Sequence, residues 1–120
     1  MVTSLSRFDR DYLLMTDKIV VICTCPTQDE AESLARALVE DRVAACVNVV
    51  AGLRSFYRWQ GATESSSEWL LLIKTTREKF PALRSAIERR HSYKVPEVLA
   101  LPVVDGAANY LNWIDESLSQ

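Results

Sequence analysis

The sequence predicts a single α+β domain whose strands and helices follow the order βαββαβα. Three observations predict it. Ile19–Cys23 and Trp69–Ile73 are unbroken apolar runs of strand length. Two segments, one after Thr27 and one after Thr75, place apolar residues at helical spacing. Between Val43 and Lys74 no segment has helical spacing, so the second and third strands must pair as an antiparallel hairpin. The chain of 120 residues, 48% hydrophobic and 25% charged, suits one globular domain of this kind.

In chain order, residues 1–16 mix Arg7, Asp9, Arg10 and Asp11 with Ser and Thr and read as a loose extension; Met15 can serve as an alternative start. Residues 17–120 form the domain. Its first strand is Lys18–Cys25, rich in β-branched residues and ended by Pro26. Thr27 and Glu30 make a capping-box pair. The helix behind them lines up Ala31, Leu34, Ala35, Leu38 and Val39. Val43–Trp59 is the second extended segment, with Gly52 marking a bulge or bend. Polar Gln60–Ser67 reads as the turn and Glu68–Lys74 as the third strand. Thr75 and Glu78 repeat the capping-box pattern before a helix reaching Arg90, with Phe80, Leu83 and Ile87 inward and Pro81 in or near its first turn. His91–Lys94 is a connector, and Val98–Val103 is a fourth strand that Pro102 places at an edge or an end. A last helix after Gly106 aligns Tyr110, Leu111, Ile114 and Leu118. Two split βαβ units around a central hairpin describe a ferredoxin-like sandwich with an extra C-terminal helix.

Two features predict an oligomer. A second strand of 17 residues at about 3.3 Å each spans ~56 Å, whereas a compact domain of this length has a radius of gyration near 14 Å. Such a ribbon overhangs its own sheet and exposes unpaired backbone groups. The first three strands are also apolar on both faces, and helices on one side leave the other side bare. A second layer is needed, most simply other copies of the chain. Partial cover by the C-terminal helix is the simpler alternative.

Several classes are excluded. A formal net charge of −2 lacks the basic excess of a nucleic-acid binder. Arg84, Arg89, Arg90, His91 and Lys94 are read as a solvated face, because the third strand lacks the aromatic pattern of RNA-recognition folds. No apolar run reaches the ~18 residues of a membrane helix. Three cysteines, Cys23, Cys25 and Cys46, fit a reducing cytoplasm better than a disulfide scaffold. Three scattered glycines make no phosphate loop, and one histidine removes multi-histidine zinc motifs.

The blocks Val20–Pro26, Ala44–Asn48, Ser55–Gly61, Ile73–Thr75, His91–Glu97, Ala100–Val103 and Tyr110–Trp113 resemble the CutA family of divalent-cation tolerance proteins across residues 17–118. The resemblance implies a ferredoxin-like subunit, a stable PII-like homotrimer, and a role in tolerance of copper and other divalent metals with no attached reaction. In some members copper is associated with a first-strand cysteine and two adjacent histidines after the second helix. The matching positions are Cys23 and Arg90–His91, so only one histidine is present, and arginine cannot be a ligand.

Cys25, two residues from Cys23 on the same strand face, adds a third soft donor to His91 and Cys23. Copper(II) or zinc(II) are the expected occupants of Cys23, Cys25 and His91, neither being required for folding. Against this, buried cysteines in apolar strands commonly serve as small hydrophobes. A second site expectation is an inter-subunit pocket of Tyr57, Trp59, Lys74, Tyr93 and Glu97, in which case the chain is a small-ligand-sensing or scaffolding trimer. The aromatic pair can equally anchor the assembly. A Cys23–His91 nucleophile and base is the weakest reading, so the chain is expected to be a non-enzymatic, cytoplasmic metal-binding homotrimer.

Overall fold

The computed structural model describes residues 15–119. Residues 1–14 of the expected extension lie outside that range. Thr16 is tied to the domain, since its Oγ1 donates to Val103 O at 2.8 Å. Seven elements follow: β1 (Lys18–Cys25), α1 (Gln28–Glu40), β2 (Cys46–Trp59), β3 (Ala62–Thr76), α2 (Phe80–Arg90), β4 (Leu99–Pro102) and α3 (Ala108–Leu118). The sheet order is β2-β3-β1-β4 and each neighbouring pair is antiparallel. This is the ferredoxin-like arrangement, in which two helices cross one face of the sheet.

The covered face is built from alternate residues of the central strands. Val21 pairs with Ile73, Cys23 with Leu71 and Cys25 with Trp69. Against them pack Ala31, Leu34 and Leu38 of α1 and Leu83, Ala86 and Ile87 of α2. Thr27 caps α1, its Oγ1 accepting from the Glu30 N–H at 3.2 Å. Both cysteines of Cys-Thr-Cys thus point into the helix-covered core because strand side chains alternate.

The opposite face carries Val20, Ile22, Leu70, Leu72, Leu99 and Leu101 in register. α3 covers only one end of it, packing Ile114 and Leu118 on Ala45. Beside it, buried Lys18 reaches Asp17 at 2.6 Å and Asp115 at 3.0 Å. Burial works against that ammonium, but the two carboxylates outweigh it and raise its pKa above the ordinary lysine value. Leu99 stays 55% and Leu101 48% exposed in the single chain.

The hairpin differs from expectation. The turn is only Gln60–Gly61, with φ of 49° and 81°, the geometry of a two-residue type I′ loop. β3 therefore begins at Ala62, and polar Thr63–Ser67 is strand. Neither face of the ribbon packs on a helix there, so no apolar alternation marks it. Val50 pairs with Leu70 and Leu53 with Glu68, one extra residue on β2, and Gly52 occupies the bulge at φ 86°. The radius of gyration is 16.3 Å, above the ~14 Å of a compact chain of this length.

The second capping box does not form. Thr75 and Thr76 end β3, Thr75 Oγ1 donates to Val43 O at 2.7 Å, and α2 starts behind Lys79 with no side-chain cap. The buried carbonyl of Val43 claims the hydroxyl. β4 is shorter than predicted and lies at the sheet edge, where Pro102 needs no ladder donor.

Candidate metal centre

Cys23 Sγ, Cys25 Sγ and a ring nitrogen of His91 lie within 4.8 Å of one another. β1 supplies both sulfurs. α2 supplies the imidazole, because His91 is its C-cap: its N–H still donates to Ile87 O at 2.9 Å while its backbone has turned extended. The ladder between β1 and β4 stops at Ile22 and Leu99. The carbonyl of Thr24, just beyond, is bonded instead by His91 Nε2 at 2.7 Å.

Both ring nitrogens are engaged. The Tyr93 N–H donates to Nδ1 at 2.9 Å. A backbone N–H only donates and a backbone carbonyl only accepts, so the neutral ring carries its proton on Nε2. Nε2 is also 3.7 Å from Cys25 Sγ, and Nδ1 is 3.4 Å from Glu30 Oε2. The same carboxylate oxygen accepts from the Ser92 N–H at 3.1 Å.

Cys23 and Cys25 are fully buried. The hydrogen bond to Cys25, then burial, then the negative charges of Glu97 and Glu30 hold the Cys23 thiol protonated far above the ordinary range. A metal ion bound here would reverse the charge balance that now disfavours the thiolate. Two sulfurs and an imidazole in a dry pocket suit a thiophilic or borderline ion such as copper or zinc, and do not suit magnesium or calcium. The residues present therefore fit such an ion.

Arg90, at the position of the missing histidine, turns away to Asp41 at 3.3 Å. Cys46 lies elsewhere, opposite Lys74 in the β2–β3 register. Of the pocket residues, Tyr93 is linked to the centre, its ring 4.8 Å from that of His91 and its hydroxyl donating to Glu68 at 2.9 Å. Burial and the Glu68 carboxylate push that phenol above its ordinary range, with Tyr57 and Glu30 adding to the effect. Glu97 acts on the centre through its charge. Lys74 sits six residues along β3 from Glu68, about 20 Å away, bonded to Asn48. Trp59 lies at the hairpin end and is 60% exposed. A surface groove of about 390 Å³ between α1 and β2 is lined by none of the five pocket residues.

Glu30 and Glu68 are the contributors that sequence reasoning missed. The capping-box pattern assigned Glu30 to the helix start, where only its backbone N–H serves, and its partners lie about sixty residues on.

Fold and centre define a small ferredoxin-like protein with a buried thiol–imidazole cluster at the end of its first strand. The chain belongs to the CutA1 divalent ion tolerance protein family, whose model matches residues 19–117. It is 49% identical over 98 residues to a divalent-cation tolerance protein CutA from Thermus thermophilus, covering 82% of this chain and 95% of that one. The solved Thermus structure aligns with a TM-score of 0.82 at 48% identity, over 83% of this chain and 97% of that chain. A structure of the periplasmic divalent cation tolerance protein CutA from Archaeoglobus fulgidus aligns with a TM-score of 0.83 at 36% identity, over 85% and 99%. A chloroplastic protein CutA from Arabidopsis thaliana is 42% identical over 82% of this chain, which spans 54% of that relative. No helix among the described residues is long and apolar enough to cross a membrane.

Proposed function

We propose that this chain binds divalent metal, copper first and zinc(II) as the alternative, at Cys23, Cys25 and His91, as a non-enzymatic homotrimer serving metal tolerance in the cytoplasm. The observation that carries the reading is the convergence of three soft or borderline donors within 4.8 Å in a buried pocket. The burial of both cysteines supports a binding rather than a catalytic role for them. The bare apolar sheet face and the ribbon beyond the core support assembly.

Native mass spectrometry of reduced protein, titrated with Cu(II) and with redox-inert Zn(II), tests this. The expected result is a three-chain mass taking up one specific ion per chain, with uptake sharply weakened in Cys23→Ser. Unchanged affinity in that variant sinks the site. Non-specific uptake alone leaves the second reading, a PII-like ligand-sensing or scaffolding trimer. What favours that reading is the Tyr93–Glu68 pair at the base of the exposed hairpin, with Tyr57 further along the same ribbon acting on the Tyr93 phenol.

A further inference from the structure

The inference rests on the metal-binding reading and concerns how the centre takes up its ion. In the structure His91 offers no free lone pair at Nε2, the nitrogen nearest Cys25 Sγ at 3.7 Å. That nitrogen carries the proton and donates it to Thr24 O at 2.7 Å. Nδ1 is occupied by the Tyr93 N–H at 2.9 Å. An ion held between Cys23 and Cys25 can be reached by Nε2 only if its proton leaves. A neutral imidazole then carries its proton on Nδ1, where the Tyr93 N–H, a donor, would face another donor. One acceptor stands ready there, Glu30 Oε2 at 3.4 Å, braced by the Ser92 N–H. A metal-bound histidine commonly donates its other N–H to a carboxylate, which fixes the ring and raises its basicity.

We propose that Glu30 is the positioning residue of this centre: on metal uptake the His91 proton passes from Nε2 to Nδ1, Glu30 accepts the new hydrogen bond, and the Tyr93 amide is released. The exchange balances. Each cysteine thiol gives its proton to water as its sulfur takes the ion; at the ring, Nε2 gives a proton to water, Nδ1 takes one from water, and the imidazole stays neutral. The Thr24 and Tyr93 hydrogen bonds break and one to Glu30 forms. Tyr93 also holds Glu68, whose partner Leu53 is the first β2 residue past the bulge.

One histidine in the whole chain makes this directly observable. Protein labelled with ¹⁵N at histidine is examined by NMR without metal and with Zn(II), uptake being verified by native mass spectrometry. The expected metal-free spectrum has a protonated Nε2 and an unprotonated Nδ1; the loaded spectrum has Nδ1 protonated and Nε2 metal-bound, with a large shift of the Tyr93 amide. Glu30→Gln should weaken Zn(II) binding about 10–100-fold while leaving the metal-free histidine signals in place, which reports that the variant is folded. Zn(II) bound with Nε2 still protonated overturns the inference and spares the metal reading. An affinity in Glu30→Gln within about threefold of wild type overturns the role of Glu30. Absence of any specific uptake overturns both.

Discussion

Replacing Cys23 with alanine should flatten the fall of stability at alkaline pH. In the unfolded chain a cysteine ionises from about pH 8.5 upward. In the folded protein the Cys25 bond, burial and two nearby carboxylates keep Cys23 protonated well beyond that. Above pH 8.5 the unfolded chain therefore holds fewer protons than the folded one, and stability falls as pH rises. One such group contributes a slope of about 1.4 kcal/mol per pH unit, or about 2 kcal/mol between pH 8.5 and 10. Tyr93 and Lys18, whose pKa values are also raised, add to the fall only above about pH 10. The assay is urea unfolding at fixed protein concentration, with reductant and chelator, at half-unit pH steps. Cys23→Ala lowers stability at every pH by a constant cavity cost, so the readout is the slope and not the offset. The variant should lose less than wild type by about 2 kcal/mol over that range. Parallel curves would refute the protonated, buried thiol and with it the charge argument for a cation at this place.

Three further predictions concern the scaffold. Thr75→Val should cost about 1–3 kcal/mol in urea unfolding, because the buried Val43 carbonyl loses the hydroxyl that bonds it at 2.7 Å; Thr75→Ser, which keeps the hydroxyl, should recover most of it. Gly61→Ala should cost about 1 kcal/mol by thermal unfolding, since a side chain there meets no atom within 4 Å and only the positive φ opposes it. If the proposed trimer forms through the bare sheet face, Leu101→Asp should leave circular dichroism unchanged and shift sedimentation toward the single chain, sedimentation equal to that of the wild type being the contrary result.

The β1 run and the helical spacing of α1 were legible because one face of each is buried against the other, and burial writes its period into the residues. The same logic explains the failure at Thr63–Ser67: a ribbon that leaves its own core has no inward face to encode. Thr75–Glu78 misled for a different reason. A threonine hydroxyl serves whichever acceptor the tertiary fold brings near, and Val43 O was nearer than any helix N–H. At the centre, Cys23 and Cys25 share a face by strand parity alone. Their meeting with His91, and the approach of Glu30, depend on where α2 ends and β4 stops, which local spacing does not record.

The bulge at Gly52 gives the hairpin a mechanical character. The seven residues from Leu53 to Trp59 form an arm of about 23 Å, pivoted where the ladder register slips. A tilt of about 10° at that fulcrum carries the tip through roughly 4 Å. Glu68 sits beside that register slip with Tyr93 bonded to it, while Phe56 and Trp59 stand open toward the tip.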